Sequence, residues 1–206
     1  MNNSPVFVVD DDADVRDSLR ALLESDGFRV EDFDSAAAFL TALTPGRGIC
    51  LVVDVRMPDM DGLTLQEEIA RRGVALPIII VTGHADVPLA VRAMKAGALD
   101  FIEKPYDDEL MLSSVHRARE QTISQQAQSS SAREAEARVA ALTPREREVL
   151  EHLVGGQPNK VIAHELGISP RTVEIHRAHL MEKMQARSLS DLVRIALTAG
   201  VQAAGA

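Results

Sequence analysis

Five short strand-like runs, most of them rich in β-branched residues, recur along the first half of this 206-residue chain, and each is followed by a stretch of helical periodicity. The runs are Val6–Val9, Arg29–Phe33, Cys50–Val53, Ile78–Thr82 and Asp100–Glu103. The helical stretches run from about Ala13 to Ser25, Ala36 to Leu43, Leu63 to Arg72, Val87 to Ala96, and from Asp108 onward. Such alternation demands right-handed crossovers, and hence a parallel sheet covered by helices on both faces. Val6-Phe7-Val8-Val9 and Leu51-Val52-Val53 are apolar at consecutive positions rather than alternate ones, as strands buried on both faces are. The helix after the first run carries Val15, Leu19, Leu22 and Leu23 on one side and is closed by Gly27.

Five βα units suit an α/β, flavodoxin-like sheet of order 2-1-3-4-5, in which strands 1 and 3 flank the crevice at the topological switch point. Three acids then converge there: Asp10 and Asp11 at the end of strand 1, and Asp54 at the end of strand 3. Clustered carboxylates repel unless a cation lies among them, so the cluster predicts a hard divalent metal, Mg²⁺. Mg²⁺ in turn points to phosphate chemistry. Asp54 is the candidate nucleophile, since a carboxylate can accept a phosphoryl group as a mixed anhydride. Asp11 and Asp54, with the backbone carbonyl at Arg56 and Asp10 in support, would hold the metal. Lys104 and Thr82, at the ends of strands 5 and 4, are the cation and hydroxyl for the phosphoryl oxygens. Asp12 and Asp14 lie in the first turn of a helix, where negative charge suits the dipole, and need no chemistry.

Charge divides the chain. Residues 1–122 hold 22 acidic and 12 basic side chains, a net −10, whereas residues 123–206 hold 9 and 10, a net +1, together with four of the six histidines. Only the second part can approach a polyanion. The single Cys50 excludes a disulfide framework and suits a reducing cytoplasm. No apolar stretch approaches transmembrane length, and the N-terminus does not read as a signal peptide.

The run from Gln121 to Ala132 is polar and of low complexity, which marks a linker over residues 123–141, with a composition that also lets the preceding helix continue. Beyond it, Thr143-Pro144-Arg145-Glu146 is a capping box with proline at the first helical position. Gly155-Gly156 stops that helix, Lys160–Leu166 forms a second, and Gly167-Ile168-Ser169 turns into a third that reaches about Met184. Ser190-Asp191 opens a fourth. Two helices joined by a short glycine-containing turn, the second with a serine cap, describe a helix-turn-helix in an all-α, four-helix domain over residues 142–206. The third helix turns Val173, Leu180 and Met184 inward. It leaves Arg171, Thr172, Glu174, Ile175, Arg177 and His179 for DNA, with Lys160 and Lys183 for phosphates.

The stretches VVDDD (8–12), LVVDVRMPDMDG (51–62), IIIVTGHAD (78–86) and DFIEKP (100–105) resemble a two-component receiver domain over residues 1–122. The stretches TPRE, NKVIA and ISPRTVEIH resemble a LuxR/NarL-type output domain, and the whole is similar to the FixJ subfamily of response regulators. The resemblance implies phosphorylation of Asp54 by a sensor histidine kinase, a switch through Thr82 and the aromatic Phe101, and a cis peptide at Lys104-Pro105. It implies a homodimer through a face carrying Val87, Val91, Met94 and Lys95, promoter binding, contact with RNA polymerase and a cytoplasmic, non-membrane location. No catalysis is expected beyond self-phosphorylation and autodephosphorylation. Two departures stand out. Glu174 and Ala178 occupy positions where many relatives carry lysine, and Pro158 replaces the usual capping serine of the second short helix. A phosphate sink whose C-terminal domain binds protein is the alternative reading.

Overall fold

A computed structural model describes residues 4–204. Among them five strands and nine helices are formed. The first part comprises β1 (Val6–Val9), α1 (Ala13–Ser25), β2 (Val30–Phe33), α2 (Ala36–Ala42), β3 (Cys50–Asp54), α3 (Gly62–Arg71), β4 (Ile78–Thr82), α4 (Val87–Lys95) and β5 (Asp100–Glu103). These strands make one sheet, parallel as the alternating pattern requires and in the flavodoxin-like order β2-β1-β3-β4-β5. The third strand extends one residue beyond the apolar run, so that Asp54 itself is in the ladder, opposite Val81.

The continuous apolar runs are explained by the two layers that the sheet separates. Val6, Val8, Cys50, Val52, Ile79 and Val81 face one side, with Leu19 and Leu23 of α1 and Met111 and Val115 of the following helix. Phe7, Val9, Leu51, Val53 and Ile80 face the other, with Phe39 of α2, Leu63 and Ile69 of α3 and Ala93 of α4. Alternate residues of the three central strands thus serve opposite layers, and no position of β1, β3 or β4 is left for solvent. Helix α1 begins at Asp12, whose carboxylate accepts the Asp14 N–H at 2.9 Å. It ends at Gly27 with φ +82°, where the Phe28 N–H returns to the Leu23 carbonyl at 3.1 Å.

Helix α5 (Asp108–Ala140) is 33 residues long and includes the polar run expected to form a linker. That run lacks glycine and proline and is built from alanine, glutamine, serine and charged residues, so nothing stops the helix there. The chain divides into two compact units, one ending at Gln126 and the other beginning at Ala127. The first part of α5 buries Met111, Val115 and Ala118 in the sheet layer, and its Thr122 hydroxyl donates to the Ile49 carbonyl at 2.7 Å. The end of α5 buries Ala135 and Val139 in the core of the second unit.

That second core also takes Val149, Leu150 and Leu153 of α6 (Pro144–Val154), Ile162 and Ala163 of α7 (Asn159–Glu165), Val173 and Leu180 of α8 (Pro170–Lys183), and Leu192, Ile195 and Ala196 of α9 (Leu189–Thr198). The capping box at Thr143 and Glu146 is formed in both directions. Helix α7 starts at Pro158 without a side-chain cap. Helix α9 opens at Ser188 and not at Ser190, because the Ser188 hydroxyl accepts the Asp191 N–H at 3.1 Å.

Gly62 marks the tightest passage near the acidic crevice. A Cβ there would lie 2.3 Å from the Asp54 carbonyl oxygen, and the Gly62 N–H donates to the Val55 carbonyl at 3.0 Å. The obstacle is backbone, so α3 or the Asp54 strand end must shift to admit a methyl group. Replacement Gly62→Ala is expected to cost about 1–3 kcal/mol of stability in urea denaturation, despite alanine's better helix propensity.

Candidate phosphoryl-acceptor site and nucleic-acid interface

At the carboxyl ends of the strands the Lys104 ammonium sits between two buried carboxylates. Its Nζ lies 2.7 Å from Asp10 Oδ2 and 2.8 Å from Asp54 Oδ1. Asp10 Oδ1 accepts the Asp12 N–H at 3.0 Å, and Asp54 Oδ2 accepts the Arg56 N–H. Lys104 is held there by its own backbone, whose N–H donates to the Thr82 carbonyl at 2.7 Å; the peptide bond to Pro105 is cis. Thr82 is fully buried, and its hydroxyl oxygen accepts the His84 N–H at 3.3 Å. Phe101, in register with Ile80, is half-buried against the layer of α2, α3 and α4.

Burial raises the Asp54 pKa above the ordinary carboxylate value, and the neighbouring Asp10 charge adds to that. Lys104 and the Arg56 N–H pull the other way without fully offsetting it. For Lys104, burial opposes the charge, but Asp10 and Asp54 outweigh burial and raise its pKa. One ammonium therefore leaves the pair of carboxylates short of positive charge.

The site brings Asp10, Asp54, Lys104 and the Arg56 backbone together, with Thr82 beside them. Asp11 is not gathered in. It is exposed, and among the described residues no three His, Cys, Asp or Glu side chains converge closely enough to hold a metal. Lys104 occupies the position between the acids. The residues nonetheless suit a hard cation. The Asp54 carboxylate remains under-compensated, the set is all oxygen, and Asp11 is exposed next to Asp10.

Two residues at this site carry no sequence signal of chemistry. Gly62 permits the close approach to Asp54, and its hint is a glycine in the first position of a helix, where other residues do better. Arg16 of α1 donates from Nη1 to the Asp10 carbonyl at 2.8 Å. It reads only as a solvated helix residue until the fold places it.

On α8, Arg171, Glu174, Ile175, Ala178, His179 and Lys183 are exposed along one stripe, and Ile175 is 50% exposed. Ser169 caps the helix by accepting the Thr172 N–H at 3.1 Å, and the Thr172 hydroxyl lies 2.8 Å from the Ser169 hydroxyl. Lys160 of α7 is exposed. Three residues expected from sequence to meet DNA, two of them on this stripe, have partners inside the domain. Arg177 donates to Asn159 Oδ1 at 2.6 Å, Lys183 pairs with Glu146 at 2.7 Å, and His179 lies 3.8 Å from Glu146. The capping box reveals Glu146 in the sequence, but nothing local indicates a lysine 37 residues later as its counter-ion.

Comparison with known proteins agrees with this arrangement. Residues 6–116 match the response regulator receiver domain, and residues 140–196 match the bacterial regulatory proteins of the luxR family. The chain belongs to the two-component response regulators with a LuxR-type DNA-binding domain, and so to the phosphorylation-activated transcription regulators, with a histidine kinase and DNA as partners. Within that class it belongs with the FixJ proteins. It is 53% identical over 197 residues to transcriptional regulatory protein FixJ of Azorhizobium caulinodans, covering 96% of this chain and 93% of that one. Among solved structures, full-length FixJ from B. japonicum is 49% identical with TM-score 0.58, covering 97% of this chain and 98% of its own. The response regulator StyR is 42% identical with TM-score 0.84, covering 94% and 98%.

Glu146 gives the second unit a pH signature. Burial raises its pKa, but Lys183 and the Thr143 backbone and hydroxyl overcome this and hold it at about 2, against an ordinary 4.5. The folded value lies below the unfolded one, so the stabilisation is complete above about pH 4.5 and is lost as the pH falls toward 2. Urea denaturation of the full chain followed at α8 resonances should show stability declining through that window, and Glu146→Gln should flatten the decline.

Proposed function

We propose that Asp54 accepts a phosphoryl group from a sensor histidine kinase and that this converts the chain into a dimer that binds promoter DNA. The observation that carries the reading is the convergence of Asp10 and Asp54 on Lys104 Nζ at the carboxyl ends of the sheet. In the reaction an Asp54 carboxylate oxygen attacks phosphorus. The P–O bond forms as the P–N bond to the kinase histidine breaks, and the imidazole nitrogen keeps the electron pair. Lys104 transfers its ion pair from Asp54 to a phosphoryl oxygen, and the Thr82 hydroxyl donates to another. Mg²⁺ held by Asp11, Asp54 and the Arg56 carbonyl, with Asp10 in support, would supply the remaining positive charge. Water attack on phosphorus reverses the modification, releasing inorganic phosphate and restoring the carboxylate. Arg56 and His84, each two residues beyond Asp54 and Thr82, control that water's access.

As Thr82 turns toward the phosphoryl group, Phe101 follows into the space it leaves, and the α4 surface changes. Val87 and Val91 are already 76% and 45% exposed there, beside exposed Met94 and Lys95. An apolar strip edged by charge suits a self-complementary contact between two receivers. Residues 1–122 form the receiver and 142–206 the output domain, with 123–141 between them.

In the output domain, Arg171 and the N-terminal amides of α8 contact phosphate, with Thr172 and Lys160 alongside. Glu174 and Ile175 face base edges, a carboxylate for a cytosine amine and an aliphatic surface for a thymine methyl. Arg177 reaches DNA by leaving Asn159. Lys183, paired with Glu146, and His179 beside it contribute less. The bound dimer contacts RNA polymerase, and the site of action is the cytoplasm.

Acetyl phosphate with Mg²⁺ should add one phosphoryl group to the wild type and none to Asp54→Asn by intact-protein mass, and should shift only the wild type toward dimer in sedimentation. A phosphoryl group on Asp54→Asn would contradict the assignment. On operator DNA, Arg171→Ala should weaken binding and reduce the salt slope by about 1. Lys183→Ala should lower the melting temperature more than it lowers DNA affinity.

A further inference from the structure

The Asp10 carbonyl lies where β1 leaves the sheet. Its own N–H still donates to the Phe33 carbonyl at 3.2 Å, at the end of the ladder with β2. The carbonyl oxygen is taken by a side chain, Arg16 Nη1, at 2.8 Å. The same guanidinium donates from Nε to Asp32 Oδ2 of β2 at 3.2 Å, and Arg20 pairs with the other Asp32 oxygen. Arg16 is largely buried, with 17% of its side chain exposed. One planar fork therefore ties the end of β1 to β2 and is itself held by a doubly paired carboxylate.

The Asp10 carbonyl and the Asp11 nitrogen belong to one rigid peptide unit. Fixing the carbonyl fixes the plane from which Asp11 departs. Among the described residues the Asp11 side chain makes no hydrogen bond or ion pair, whereas the Asp10 side chain is held by Lys104 and the Asp12 N–H. We propose that Arg16, oriented by Asp32, is a positioning residue that aims Asp11 at the divalent cation. This rests on the metal-assisted phosphoryl-acceptor reading given above. It is not a catalytic role, since Arg16 spends its donors on Asp10 and Asp32.

The sign of the effect separates positioning from simple electrostatics. A cation near a metal site repels the metal, so deleting its charge should tighten Mg²⁺ binding. Deleting a group that holds a ligand in place should weaken it, and supporting groups of this kind are worth about 10–100-fold in metal affinity. The experiment is a calorimetric Mg²⁺ titration of the full chain, as wild type, Arg16→Met and Arg16→Lys. It is paired with phosphorylation by acetyl phosphate across Mg²⁺ concentrations and with thermal melts. For Arg16→Met the expected result is an Mg²⁺ Kd raised about tenfold or more, with the phosphorylation plateau recovered at saturating Mg²⁺. Arg16→Lys keeps the charge but cannot span both partners, so its Kd should also rise. An unchanged or tighter Kd in folded Arg16→Met, with normal Mg²⁺ binding by the wild type, overturns the positioning role alone. A wild type that binds no Mg²⁺ overturns the site reading, and the positioning role with it.

Discussion

Lys104 lies within 2.8 Å of two carboxylates from different strands, and the first unit is organised so that it can. Asp10 is 3% exposed and Asp54 7% exposed, at the end of a sheet whose central strands β1, β3 and β4 are buried along their length. Two acids in such a place would repel each other and resist ionisation. The ammonium bridges them and offsets part of that repulsion, and the parallel order β2-β1-β3-β4-β5 brings β1 and β3 together to make the pairing possible. The same ion pair is what a phosphoryl group on Asp54 would have to displace. The contact that stabilises the resting site is thus also the one whose rearrangement can drive a switch, since Lys104 is joined through its backbone to Thr82, and Thr82 lies at the base of the loop that leads to α4.

The second unit uses an ion pair differently. Glu146 completes the cap of α6 and binds Lys183 of α8, so it ties down the helix that carries the exposed stripe of Arg171, Glu174 and Ile175. Arg177 to Asn159 makes a similar tie between α8 and α7. Part of the positive charge that the sequence assigns to DNA is therefore committed to holding the domain together. The exposed remainder is narrow, centred on Arg171, Glu174 and Ile175, with Lys160 on α7. With a net charge of only +1 over residues 123–206, nonspecific attraction to a polyanion is small, and pairing two output domains raises occupancy without new contacts.

The parallel sheet and the acidic strand ends were legible because their signals are local, while the strand order followed from the likeness of five βα units to the flavodoxin-like class. An apolar run ending in acid marks both a buried strand and the place where it opens. Lys104, Thr82 and the two receiver acids could be placed from strand ends alone. What was illegible depends on contacts distant in sequence or on the backbone. Arg16 looks like any charged residue in an amphipathic helix until β2 supplies Asp32 and β1 supplies a carbonyl. Gly62 matters through a backbone approach that no side-chain pattern records. Lys183 reads as a phosphate ligand from its place on the recognition helix, and only the packing of α6 shows its partner. The cap of α9 was misplaced by two residues because Ser188 and Ser190 offer the same chemistry, and only the position of the Asp191 N–H separates them.

The central claim is that the state of Asp54 controls specific DNA binding by α8. The most direct test captures genomic DNA on the full chain with and without beryllofluoride and Mg²⁺, in parallel with Asp54→Asn. Beryllofluoride stands in for the phosphoryl group on the Asp54 carboxylate. The account predicts that particular fragments are retained by the activated wild type and by neither the untreated protein nor the variant. Equal retention of the same fragments in all three would contradict it.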